Sequence, residues 1–209
     1  MALMYRSAFL FSNRRTIPTM FGVGARSLST SSTPPPFDLS TFGNVTGGTA
    51  ITAQSLSTFK AWHGALNRVM HEGASASEVS EKLRSHVHDQ AQFFPPTYFA
   101  HWQGGDELCL LLGAVSEVFG KSFVYKRQWL SDDGKNWCLE FDATINGDAK
   151  NVLNGVDLIT LDDEGKIVDM KVLARPPNAV SALKAVMMAK VPPRLAVLKA
   201  KQAMGSFFK

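Results

Sequence analysis

The sequence predicts an α+β domain in which three amphipathic helices precede an antiparallel sheet. Between residues 55 and 119, apolar side chains recur at helical spacing in three separate runs. From Ser122 onward the apolar period shortens toward two, in four runs joined by SDDGKN, INGDA and DDEGK. Each connector combines Gly with Asp or Asn, the residues that tolerate positive φ in hairpin turns. Sequential hairpins build an antiparallel sheet, and helices placed before it can cover only one of its faces.

Taken in order, residues 1–37 read as a leader and linker. They hold Arg6, Arg14, Arg15 and Arg26 among several Ser and Thr, with no acid before Asp38. This is the composition of an organellar transit peptide, and GARSLSTSSTPPP resembles a mitochondrial processing site. The expected location is the mitochondrion, in its matrix, with a plastid as the alternative. Residues 38–54 are a loose lead-in rich in Gly, Ser and Thr. The domain proper is expected over residues 55–190. Its first helix carries Leu56, Phe59, Trp62, Leu66, Val69 and Met70, with Ser55 or Ser57 as N-cap. A short helix follows from Ser77 to Arg84, then an extended segment that Pro95 and Pro96 break after Phe94. The third helix, from Asp106 to Phe119, shows a stripe of Leu108, Leu111, Leu112, Val115 and Phe119. Strands are predicted over 122–130, 136–145, 150–161 and 166–175. A helix over 178–190 then ends at Pro192-Pro193, leaving residues 191–209 as a basic arm.

Charge divides the chain. The 22 Lys and Arg exceed the 18 Asp and Glu by the four leader arginines alone. After Asp169 come eight Lys or Arg and no acid, so an acidic body precedes a basic C-terminal arm. An anionic membrane surface or an acidic protein is a candidate partner for that arm. No run approaches the roughly 18 apolar residues that a spanning helix needs. Cys109 and Cys138 lack metal-ligand spacing and suit a reducing compartment. There is no Gly-rich phosphate loop, no serine or cysteine triad and no nucleic-acid signature beyond the basic arm. His86 and His88 sit two apart at a strand entrance, where a solvated turn is a simpler account than a metal site.

Two stretches carry a resemblance. One is FFPPTYFAHWQGGDELCLLLGAV, with a W-x-G-x-D step from Trp102 to Asp106; the other is the closing hairpin GVDLITLDDEGKIVDMKVLARP. In this order they resemble the SnoaL-like branch of the nuclear transport factor 2-like (ketosteroid isomerase-like) superfamily over roughly residues 55 to 185. The resemblance implies a cone-shaped, curved antiparallel sheet wrapped around the N-terminal helices, also described as a cystatin-like roll. It further implies a deep pocket and a homodimer through the outer sheet face. Because this fold serves enzymes, binding proteins and scaffolds alike, function has to come from the site.

The catalytic patterns of the superfamily transfer only in part. Phe94 stands where the isomerases keep their proton-abstracting Asp, Trp62 where they keep a tyrosine, and Val172 where epoxide hydrolases keep an essential Asp. Asp157 does match, falling where the isomerases hold a protonated aspartic acid as oxyanion donor. In ketosteroid isomerase an apolar site keeps that carboxylic acid protonated at neutral pH. On an ungapped register Leu153, Gly155, Asp157, Ile159 and Leu161 face the pocket with Met170, Val172 and Ala174. Cys138, Glu140, Asp142 and Thr144 would do so as well, unless the strand slips by one residue and turns Leu139 and Phe141 inward.

The candidate catalytic residues are therefore Asp157, Glu140 and His101. Candidate ligand contacts are Trp62, Tyr98, Trp102, Asp142, Met170 and Val172. Asp157 can alternatively be a structural acid bonded to Tyr98, His101, Trp62 or a backbone amide. Phe123, Tyr125, Arg127 and Trp129 alternate on one face that lines either the cavity or the dimer interface. The expected function is binding of a small apolar carbonyl compound, with cofactor-independent isomerisation, cyclisation, hydration or dehydration as the chemistry. The alternative is a non-catalytic mitochondrial interaction module. Neither reading calls for a metal or a cofactor.

Overall fold

The computed structural model describes residues 39–206, and the expected leader lies outside the described residues. After a short 3₁₀ turn at Leu39–Phe42 the elements are β1 (Val45–Gly47), α1 (Ala53–His71), α2 (Ala76–Arg84), β2 (Val87–Phe94), β3 (Trp102–Gln103), α3 (Gly105–Phe119), β4 (Val124–Leu130), β5 (Asn136–Ile145), β6 (Asp148–Leu161), β7 (Ile167–Arg175) and α4 (Pro177–Ser206). They form the expected α+β architecture, one seven-stranded sheet in the order β1-β4-β5-β6-β7-β2-β3. The hairpins β4-β5-β6-β7 are antiparallel, whereas β2 joins β7 and β1 joins β4 in parallel. β1 has too little apolar patterning to be read from sequence. It is held by the 2.8 Å bond from the Gln128 amide to the Asn44 carbonyl and by Gln128 Nε2 donating to Phe42 O at 2.7 Å.

Helix α1 starts earlier than Ser55 because Thr52 is the N-cap: its hydroxyl accepts the Ser55 amide at 3.1 Å. α2 opens with a capping box between Ser75 and Glu78. Together α1, α3 and α4 fill the concave face of the sheet with Phe59, Trp62, Leu66, Leu108, Leu112 and Leu183, all buried. From the sheet come Trp137, Leu139, Phe141, Leu153, Ile159 and Met170.

Two irregularities decide which side chains face inward. In β4 the register shifts between Tyr125 and Arg127. Phe123 and Tyr125 therefore point into the cone, while Arg127 and Trp129 point out with a guanidinium-over-indole contact of 5.2 Å. In the β5-β6 hairpin, Asn146 (φ 51°) and Gly147 (φ 75°) make a tight turn with Ile145 opposite Asp148. Thr144, however, is already opposite Val152, so residues 149–151 are looped out of the ladder. Three is an odd number, and an odd offset exchanges the two faces of a strand. Trp137, Leu139 and Phe141 are consequently buried, and Cys138, Glu140, Asp142 and Thr144 face outward. The inward placement expected of Glu140 and Asp142 is corrected accordingly.

The C-terminal segment also differs from expectation. α4 continues through Pro192 and Pro193 to Ser206 instead of ending before them. The two prolines remove backbone donors from a helix interior, and packing on both sides carries the helix across them. Val191 is buried against Leu111 and Ala114 of α3. Glu117 accepts from Lys190 at 3.1 Å and Arg194 at 2.8 Å, Lys199 pairs with Glu107, and Gln202 Nε2 donates to Asp106 at 3.2 Å. Much of the basic arm thus neutralises acids of α3.

Candidate functional site

The concave face does not fill completely. Between α1, α3, α4 and the sheet lies a cavity of about 340 Å³, within the lower range of small-molecule sites. Its walls are Leu66, Met70, Leu111, Leu112, Phe119, Phe141, Leu153 and Met170. Phe119, Phe123 and Phe141 form a ring cluster with centroids 5.1 to 5.9 Å apart. Gly155 leaves room for the Phe141 ring of this wall, since a Cβ there would come within 2.4 Å of Phe141 Cζ.

At the closed end three elements converge on one hydrogen-bonded chain. Trp62 of α1, 1% exposed, donates its indole N–H to the Tyr125 hydroxyl at 2.8 Å. Tyr125 of β4 donates in turn to Asp157 Oδ2 of β6 at 3.1 Å. Asp157 is 5% exposed and lines the cavity. Burial raises its pKa from 3.8 to about 7, with the Tyr125 hydrogen bond opposing part of that rise. Burial first, and then the charge of Asp157, hold the Tyr125 hydroxyl well above the ordinary phenol range, so it remains a donor. Near neutrality the carboxyl is present in both forms. Protonated, it can donate to a ligand oxygen; ionised, it can accept a proton.

The expected site residues separate into two groups. Asp157, Trp62, Tyr98, Trp102, Met170 and Val172 all line the cavity. Tyr98 and Trp102 stand at its mouth, where the Trp102 indole donates to the Tyr98 hydroxyl. Glu140, Asp142 and His101 are elsewhere. Glu140 pairs with Arg127, which holds its carboxyl below the usual range, and Asp142 accepts from Asn154 at 2.9 Å. His101 lies against the Phe94 ring, centroids 5.2 Å apart, on the exposed side of the β2-β3 connection. Both expected proton acceptors are therefore outside the cavity. Tyr125, which alternation alone leaves open between cavity and interface, is the polar residue that completes the site. A signal for its placement does exist within the strand: Phe123 and Arg127 cannot share one buried face, so a bulge has to separate them. The imidazole of His86 is 2.9 Å from the Thr58 hydroxyl, which itself donates to Gly165 O.

No protein-family model and no curated protein matches the chain. Solved structures do. The chain is 31% identical to a steroid delta-isomerase from Pseudomonas aeruginosa, over 70% of this chain and 97% of that one, with a TM-score of 0.59. The chain belongs to the nuclear transport factor 2-like superfamily, among its ketosteroid isomerase-like members. The SnoaL-like branch named from the sequence lies within that superfamily. A second relative, a protein conserved in bacteria with a cystatin-like fold from Silicibacter pomeroyi, is 33% identical over 69% of this chain and 97% of its own, with a TM-score of 0.53. Superfamily membership agrees with the curved, unclosed sheet and with a cavity on its concave side.

Proposed function

We propose that the cone binds a small apolar carbonyl compound, with the carbonyl oxygen on Asp157. The supporting observation is the chain Trp62–Tyr125–Asp157 at the closed end of an otherwise apolar cavity. A buried carboxyl that is still partly protonated near neutrality can donate a hydrogen bond to a ligand oxygen in apolar surroundings. Isomerisation, cyclisation, hydration or dehydration on such a compound is the class of chemistry this arrangement serves. Among the described residues Asp157 is the one acid in the cavity lining, so it has to act as both donor and acceptor. The name of the Pseudomonas relative makes a steroid ketone the natural first probe.

Trp62 and Trp102 line the cavity, so ligand binding can be followed by tryptophan fluorescence. A steroid ketone is expected to bind more tightly than the hydrocarbon of the same skeleton. Asp157→Asn, which keeps a donor, should retain that preference. Asp157→Leu should lose about 1–2 kcal/mol of ketone affinity, the range for a missing buried hydrogen-bond partner. Equal binding of ketone and hydrocarbon by wild type and Asp157→Leu would refute the carbonyl reading.

The scaffold reading has one favourable observation: Trp129 and Leu173 on the outer sheet face are 40% and 56% exposed. We assign that face to a homodimer contact or a protein partner. Contact of the basic α4 with an acidic partner or an anionic membrane rests on the cations that α3 does not neutralise. The mitochondrial matrix is proposed as the location, with removal of the arginine-rich leader. The N-terminus of the endogenous protein should then fall between about residues 27 and 37, and an intact Met1 in the organelle would exclude this processing.

A further inference from the structure

The cavity has an ionisable side chain at each end. Asp157 closes the floor, and Lys184 of α4 lies at the rim as the one cation in the lining among the described residues. Lys184 is exposed. Three later cations of the same helix are committed elsewhere, Lys190 and Arg194 to Glu117 and Lys199 to Glu107. Lys184 makes no ion pair among the described residues, and Asp157 is the only acid in the lining. Its position in α4 explains its reach. Met187 and Met188, three and four residues on, stand beside it on the helix surface and also line the cavity. The methylene stem of Lys184 therefore lies along apolar wall while its ammonium meets water. Between the two ends the surface is almost entirely apolar, with Leu153, Met170, Val172 and Ala174 on the sheet side.

We propose that the ligand is an amphipathic oxo acid, its carbonyl on Asp157, its hydrocarbon body in the cone and its carboxylate on Lys184 at the rim. This rests on the carbonyl reading of Asp157 and adds the outer end of the ligand. A carboxylate cannot enter the apolar interior without losing its hydration. At the rim it stays solvated and gains a cation, so it fixes which end of the molecule goes in first. Lys184 is a specificity-determining residue that acts by orientation.

The test uses methyl-ketone acids of graded chain length and their methyl esters, titrated by tryptophan fluorescence into wild type, Lys184→Met and Lys184→Arg. Wild type should bind the acid about fivefold more tightly than its ester, the upper range for a solvent-exposed ion pair. The preference should peak at one chain length and shrink as salt is raised. Lys184→Met should abolish it, the ester serving as internal reference, and Lys184→Arg should restore it. Equal binding of acid and ester by wild type, or an undiminished preference in Lys184→Met, overturns the proposal. If acid and ester bind alike and Asp157→Leu still weakens both, the oriented oxo acid is wrong and the carbonyl reading stands. If neither binds to wild type, both fail together.

Discussion

Tyr125→Phe is expected to destabilise the fold by about 2–3 kcal/mol, although it removes a single oxygen atom. That oxygen accepts from Trp62 and donates to Asp157, and both neighbours are buried. Without it the indole N–H of Trp62 has lost its acceptor and the Asp157 carboxyl has lost its donor. A buried polar group left unpaired costs about 1–3 kcal/mol. Two are created here, one of which can revert to its neutral form and so limit the loss. Because the Tyr125 hydrogen bond is what holds the Asp157 pKa down, the variant should also raise that pKa further. Denaturant titration measures the first effect, and the pH dependence of stability measures the second. A variant as stable as wild type, with an unshifted titration, would mean that the three side chains are not coupled.

The second large effect appears in Asp157→Asn as a function of pH. In the folded protein burial raises the Asp157 carboxyl from 3.8 to about 7, so between those values the native state holds a proton that the unfolded chain has released. Where the native state binds more protons, stability falls as pH rises. The contribution of this group is therefore greatest in acid and is lost as pH climbs through about 7. The amide of the variant has no such titration. Its stability relative to wild type should rise by roughly 2–4 kcal/mol between about pH 4 and about pH 8, since each pH unit between the two pKa values is worth about 1.4 kcal/mol. His63 and His86, whose pKa values burial lowers, titrate in both proteins and cancel in the difference. A difference independent of pH would show that Asp157 titrates as an ordinary surface acid.

What can be read from the residues alone divides along these physical lines. β6 and β7 are joined by DDEGK, and the inward facing of Asp157, Met170 and Val172 follows from alternation along those strands. The helices are visible from apolar spacing because each buries one stripe. The facing of Glu140 and Asp142 is misread because INGDA gives the turn but not the three looped-out residues beyond it. That looped segment is stabilised by the burial of Trp137, Leu139 and Phe141, a gain that appears only once the helices are docked. The continuation of α4 is hidden for a similar reason. Local preference stops a helix at two prolines, and the acids of α3 that hold its second half lie about eighty residues earlier in the chain.

The cavity's two ends carry different kinds of obligation. Its floor is a chain of buried partners drawn from α1, β4 and β6, so a change to any of the three disturbs the fold as well as the site. Its rim is shared by Tyr98 and Trp102 and by the face of α4 where Lys184 and Met188 are exposed, and substitutions at exposed positions usually shift stability by less than about 0.5 kcal/mol. On the proposed reading, the contact to the ligand's carbonyl and the choice of its outer end are thereby separately mutable. A lineage, or an engineer, can retarget this cone by rewriting a few α4 residues while the carboxyl at its base stays as it is.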